Sequence, residues 1–232
     1  IYEAWNAGLD ALSADVVCFV NSDDEVRWAA PDDVLARFAD DPALDLVNGG
    51  FAYLGAAAGD DARLPSARPP AALTLETVLS GACAINARWF RRRLFDRLGP
   101  FEPRYTLAAD REWLLRCVLA RPRQQLAAEL TYCYRIHAGS KTLNGARSNA
   151  YRIGIEHMAI AEDYLRRDAG PARTALRRFH AEAALTAAAA AWRAGRARDL
   201  AAVCAGALRR QPAWPAQVPA LLVARLRGRR AG

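Results

Sequence analysis

Lysine is almost absent from this chain: Lys141 stands alone against 31 arginines in 232 residues. That bias reads as a codon-composition signature and carries no mechanism. No apolar run approaches the roughly 18–20 residues that a membrane-crossing helix needs, so no such helix is expected. The five cysteines (Cys18, Cys83, Cys117, Cys133 and Cys204) are scattered and form no C-x-x-C pair. Cys18, Cys83 and Cys133 sit in apolar, strand-like runs. This argues against a disulfide framework or a zinc site and predicts reduced, buried thiols in a cytoplasmic protein. The chain opens on Ile1, with no signal or transit peptide before an amphipathic helix already under way at Tyr2, Trp5, Leu9 and Leu12. The expectation is a chain that begins inside a domain, with upstream strands missing.

What is present is a globular composition, 53% hydrophobic and 25% charged, enough for one sizeable core plus an appendage. Charge is uneven. Residues 165–232 hold 14 Arg against Asp168, Glu182 and Asp199, a net of +11 where the whole chain is +7, so residues 1–164 carry −4. An asymmetry of this kind points to a membrane surface or a polyanion as a partner of the tail.

A change of organisation near Asn149 divides the chain into 1–148 and 149–232. The first part is mixed α/β. A helix over 31–39 opens on Pro31, Asp32 and Asp33. Strands are predicted at 44–48 and 50–54, then a loop over 55–72 rich in Gly, Ala, Pro and Asp. A short helix over 73–79, a strand over 83–87 and a helix over 88–98 that stops at Gly99-Pro100 follow. A helix over 110–120 and a strand over 126–136 complete this part. The second part is almost all helix, over 151–167, 171–194, 197–210 and 216–227. Its A-W-R-A-G-R-A-R-D-L stretch resembles a single helical hairpin of the tetratricopeptide kind, explained by small-residue packing without a peptide-binding role.

The most informative stretch is D-V-V-C-F-V-N-S-D-D-E, Asp15 to Glu25. Val16 to Val20 predict a short, buried parallel strand that runs directly into Asn21, Ser22, Asp23 and Asp24. Such a strand places its acids at the carboxyl edge of a sheet, where α/β folds put ligands. Adjacent carboxylates repel unless a cation lies beside them, and Mg²⁺ takes few protein carboxylates, drawing its other ligands from phosphates and water. The pattern therefore predicts a metal-assisted site for a phosphate-bearing substrate. A strand that simply ends in two solvated acids is the bland alternative.

Read in order, I-Y-E-A-W-N-A-G, D-V-V-C-F-V-N-S-D-D, L-S-G-A-C-A-I-N-A-R-W-F, L-F-D-R-L-G-P-F-E-P-R-Y-T-L-A-A-D-R-E-W-L-L-R and Y-R-I-H-A-G-S-K-T resemble the family 2 glycosyltransferases, from Ile1 to about Thr142. The resemblance implies a partial GT-A fold lacking its first strands, and inverting sugar transfer from a nucleotide-diphosphate donor to an acceptor hydroxyl. It implies Mg²⁺ or Mn²⁺ as cofactor. The family's D-x-D motif falls on Asn21, Ser22 and Asp23, with Asp24 next; Asn21 departs from it, so metal and ribose contacts rest on Asp23 and Asp24, in either order. Asp110 falls where the family places its catalytic base, able to take the acceptor proton. It is also a fair helix cap, and Glu112 is the runner-up base. His137 is implied as a third metal ligand, and Lys141, in the Gly139-Ser140-Lys141-Thr142 loop, as a diphosphate contact. Gly81 and Ala82 resemble the turn that lines donor sugar and acceptor, and Asn6 a weak donor-side contact. Arg88, Arg91, Arg92 and Arg93 read as a solvated helix end.

The tail, Trp214 to Arg230, is apolar and then basic, which suits an anionic membrane surface. The expected partners are a nucleotide-diphosphate sugar and a saccharide or lipid-linked acceptor from bacterial surface polysaccharide or glycolipid synthesis. No nucleic acid is expected. The expected location is the cytoplasm, at the inner face of the membrane, and the chain by itself is expected to be inactive. Two other classes fit: a sugar nucleotidyltransferase, for which Asp110 is dispensable, and a non-catalytic scaffold, to which Asn21 lends slight support.

Overall fold

The computed structural model describes residues 1–27, 30–54, 67–135, 146–167 and 170–219. The chain divides into two compact units, Ile1–Ser140 and Lys141–Gly232. In the first, α1 (Tyr2–Ala11) leads to β1 (Val16–Cys18), β2 (Glu25–Val26), α2 (Ala30–Asp40) and the long β3 (Leu46–Leu54). Next come β4 (Ala67–Arg68), α3 (Leu75–Ser80), β5 (Arg88–Arg91), α4 (Arg93–Leu98), α5 (Ala109–Leu119) and β6 (Gln124–Arg135). The sheet order is β1-β5-β3-β6-β2, with β4 beside β3; only β3 and β6 run parallel.

Three expectations are corrected. First, β1 is not a buried parallel strand of five residues. It has three, paired antiparallel with β5 (Val17 opposite Phe90). Phe19 leaves the ladder to join an aromatic cluster with Trp5, Phe95 and Phe101, and Val20 is exposed. Second, residues 83–87 are not a strand and 88–98 are not one helix. Arg88 to Arg91 form β5, whose Phe90 sits between Val17 and Leu46, and α4 starts only at Arg93. The arginines there are not a solvated face. Buried Arg88 donates through Nε to Asn48 Oδ1 at 3.0 Å, Arg91 lies over the Phe38 ring, and Arg93 pairs with Asp45 at 3.0 Å. Third, the two strands at 44–54 are one, kinked by register shifts around Gly50. Gly49 permits this close approach, since a Cβ there would meet Thr131 Oγ1 at 1.9 Å.

The core of the unit is aromatic. Trp113 is fully buried, stacks on Phe95 at 4.2 Å and donates its indole N–H to Gly99 O. This seats α5 against the loop that precedes it, and so places the start of α5.

The second unit consists of α6 (Ala146–Arg166), a 3₁₀ turn at Gly170–Ala172, α7 (Arg173–Arg193) and α8 (Ala197–Arg210), with residues 214–219 helical. Ala183, Ala184, Ala187 and Ala188 of α7 pack with Met158, Val203, Ala207 and Trp214. Small side chains let helices approach closely, as the hairpin reading requires. Residues 220–232, which carry the four terminal arginines of the tail, lie outside the described residues. Among the described residues no helix is long and apolar enough to cross a membrane.

His180 of α7 is fully buried, its Nδ1 3.0 Å from Gln211 Nε2 and its Nε2 3.2 Å from Glu162 Oε1. The Gln211 amide donates, so Nδ1 accepts and the network assigns the proton to Nε2. Burial pushes the imidazole pKa below 6.5, against the upward pull of Glu162. His180 is therefore neutral in the fold, while the unfolded chain takes up a proton near its ordinary pKa. Stability is full above that value and falls as pH drops through it. The thermal midpoint is expected to be lower at pH 5.5 than at pH 7.5, and His180→Gln to reduce the difference. An identical pH dependence in the variant would assign the effect to other groups.

Candidate functional site

The turn after β1 is organised by Asp24. Its Oδ2 accepts from Asn21 Nδ2 at 2.8 Å and from the Tyr132 hydroxyl at 2.7 Å, and its Oδ1 accepts from the Arg135 amide at 2.8 Å. The Tyr132 oxygen in turn accepts from the Asn21 amide at 3.2 Å. Asp24 thus fastens the turn to β6, and its two oxygens are occupied in doing so. Asp23 and Ser22 are exposed on the same turn. Asn21 Oδ1 is buried and accepts no hydrogen bond among the described residues, an arrangement that calls for an explanation such as an ion or water.

Asp110 lies in the first turn of α5, and Ala108 at the N-cap provides no side-chain hydrogen bond. The Asp110 carboxylate therefore does not cap the helix. It is half-buried, and its Oδ1 accepts from the Tyr2 hydroxyl of α1 at 2.8 Å. Glu112 has a different job: it is buried and paired with Arg116 at 2.8 Å, while Arg116 also donates to the Leu98 and Pro100 carbonyls. A carboxylate held in this way is poorly placed to serve as the runner-up base.

Tyr132 and Tyr134 alternate along β6, and their rings meet at 4.8 Å. The Tyr134 hydroxyl donates to Asn86 Oδ1 at 3.0 Å, and Asn86 Nδ2 donates to Phe19 O at the end of β1. Burial pushes the Tyr134 hydroxyl pKa well up, with further upward pushes from Tyr132, Asp110 and Asp24. Burial and the bond to Asp24 likewise raise Tyr132. Both phenols stay protonated at physiological pH and act as donors.

Gly81 and Ala82 close α3. Gly81 adopts φ +77, and the Ala82 amide donates to Thr77 O at 3.0 Å. A Cβ at Gly81 would come within 2.5 Å of the Arg111 guanidinium, so this glycine turn lies against the residue following Asp110. Burial pushes up the thiol of Cys83, the next residue in the chain after Ala82. Burial likewise pushes Cys18 up to about 11 and Cys117 up to about 12. Asn6 spends its amide on backbone: Nδ2 donates to Phe101 O and Oδ1 accepts from the Phe101 amide, both at 2.9 Å. It serves as a clamp between α1 and the loop before α5, in place of the expected donor contact. His137 and Lys141 lie outside the described residues.

A cleft of about 1170 Å³ flanks β2, lined by Asp24, Arg27, Asp33 and Ala127 to Thr131 among others. Of the described site residues, only Asp24 borders it. Among the described residues no group of three or more His, Cys, Asp and Glu is placed to hold a metal ion. The sequence reading overlooked Tyr2, Asn86, Tyr132 and Tyr134. Two tyrosines at i and i+2 on one strand share a face, and that spacing was the signal available for the last pair.

No protein-family model matches the sequence, and no curated protein does. Solved structures do share the shape. The crystal structure of S. aureus TarS superimposes with a TM-score of 0.52 at 16% identity over 78% of this chain and 30% of that one. That of TarS 1-349 in complex with UDP gives 0.49 at 16% identity over 76% and 48%. The likeness is one of fold: an α/β unit with a partial GT-A-like sheet. The chain spans less than half the length of either TarS structure.

Proposed function

We propose that the first unit is the catalytic part of an inverting family 2 glycosyltransferase that moves a sugar from a nucleotide-diphosphate donor to an acceptor hydroxyl. One observation carries the reading: α1 joins the two acidic positions, since Tyr2 donates to Asp110 at 2.8 Å and Trp5 packs at 4.7 Å on Phe19, just before the turn of Asn21 to Asp24. Residues far apart in sequence, and named by the ordered motifs, thereby share one locality. The partial GT-A-like sheet supports the same class.

Asp110 acts as the base. Its carboxylate removes the acceptor proton as the oxygen bonds to the anomeric carbon, and the bond from that carbon to the diphosphate breaks on the opposite face. The donor set near the turn fits a hard divalent cation: an exposed carboxylate on Asp23 and an orphaned carbonyl oxygen on Asn21. Asp23 and Asn21 would hold Mg²⁺ or Mn²⁺, with Asp24 shaping the turn and His137 a further ligand. When bound, such an ion supplies charge stabilisation on the leaving diphosphate. Gly81, with Ala82 in the same turn, leaves room for the Arg111 guanidinium next to the base in the chain.

The chain spans less than half the length of either TarS structure, and by itself it is proposed to be inactive or nearly so. The acceptor is a saccharide or lipid-linked sugar of surface polysaccharide or glycolipid synthesis, reached at the inner face of the membrane with the basic tail as a peripheral contact. The test is calorimetric titration of the full-length protein with UDP and then GDP, with and without Mn²⁺. Binding that requires the metal supports the reading and indicates the donor nucleotide. Absence of binding to both points to the scaffold alternative.

A further inference from the structure

Asp110 is not left to find its own orientation. Tyr2 is 9% exposed, its ring is 5.8 Å from Phe101 and 5.5 Å from Trp5, and its hydroxyl donates to Asp110 Oδ1 at 2.8 Å. Four residues on, and hence on the same face of α1, Asn6 grips the Phe101 backbone through two hydrogen bonds of 2.9 Å. Phe101 lies in the loop that leads into α5. One helix face therefore holds both the loop before α5 and the carboxylate at its start. Trp5, between them, packs on Phe19 at 4.7 Å, which joins the same helix to the end of β1, where the acidic turn begins.

We propose that Tyr2 is the positioning residue of the base: its hydroxyl fixes one carboxylate oxygen of Asp110 so that the other is presented to the acceptor hydroxyl. This rests on the glycosyltransferase reading, with Asp110 as base. A carboxylate at the start of a helix can rotate about its last torsion, and one rotamer is selected when one oxygen is bonded to a fixed donor. The donor here is fixed, because the Tyr2 ring is wedged between two aromatic neighbours. Alignment of this kind lowers the barrier without adding to substrate affinity, so its loss falls on turnover. A tyrosine that served only to fill space would contribute through its ring, and phenylalanine would replace it.

The test is Tyr2→Phe in the full-length protein beside Asp110→Asn, with kcat, donor KM, nucleotide affinity and melting temperature read for each. Tyr2→Phe keeps the ring and removes one hydroxyl. A loss of about tenfold in kcat, with donor KM, nucleotide affinity and melting temperature unchanged, is the expected result. Wild-type kcat in Tyr2→Phe with Asp110→Asn inactive overturns the positioning role and leaves the base in place. A fall in kcat accompanied by a lower melting temperature or weaker nucleotide binding also overturns it, since it marks a structural role. Full turnover in Asp110→Asn removes the base assignment, and the role of Tyr2 with it.

Discussion

Asp110→Asn in the full-length protein is expected to lower turnover by about a thousandfold, the middle of the range for a general base. The substitution is nearly isosteric. The Asn carbonyl oxygen can still accept the hydrogen bond that Tyr2 gives to Asp110 Oδ1, and Ala108 shows that the helix start does not rely on a side-chain cap. Stability and nucleotide affinity should therefore stay near wild type, and the loss should fall on kcat. Only the ability to take a proton has gone. Release of UDP from a panel of UDP-sugars in the presence of acceptor reads the turnover, and a melting curve reads the fold. Wild-type turnover in this assay would remove Asp110 from the chemistry and place the acceptor base elsewhere. A matching loss of stability would recast Asp110 as a structural anchor for α1.

Asp23→Ala and Asp24→Ala are expected to fail in opposite ways, although the residues are neighbours. Asp23 is exposed on the turn. Its replacement should cost less stability than that of Asp24, and should weaken metal-dependent nucleotide binding by about a hundredfold, as loss of one carboxylate from a hard-cation site would. Asp24 accepts from Asn21, Tyr132 and Arg135. Removing its carboxylate leaves those donors without their partner and separates the turn from β6, at a cost of about 2 kcal/mol. Denaturant unfolding and Mn²⁺-dependent UDP titration of both variants separate the two outcomes. Intact binding in Asp23→Ala would place the cation elsewhere on the chain. Unchanged stability in Asp24→Ala would mean that the turn holds its shape without the carboxylate.

Much of the first unit was legible without coordinates. Apolar positions at helical spacing identify α1 and α5, and Pro31, Asp32 and Asp33 mark the start of α2. In the second unit, the gap between the helices over 171–194 and 197–210 identifies the α7–α8 hairpin. These are local signals, carried by residues within one or two turns of each other. The span R-W-F-R-R-R-L-F misled because its apolar pairs satisfy both periods. The choice of strand for Arg88 to Arg91 rests on Val17 and Leu46, which flank Phe90 from distant parts of the chain.

The ordering of acids, glycine turn and helix start was likewise readable. The work of each residue was not. Asp23 and Asp24 are chemically identical in sequence, and Asn6 carries no mark that commits it to the Phe101 backbone. Composition and periodicity determine which elements form and which residue types are at hand. Tertiary structure alone decided that Asp24 is occupied by β6, that Tyr2 lies against Asp110 and that Glu112 is bound to Arg116. The physical reason is that a hydrogen bond forms only where burial and geometry bring donor to acceptor within about 3 Å. Partners 108 residues apart meet through the packing of the whole unit and leave no periodic trace in the chain.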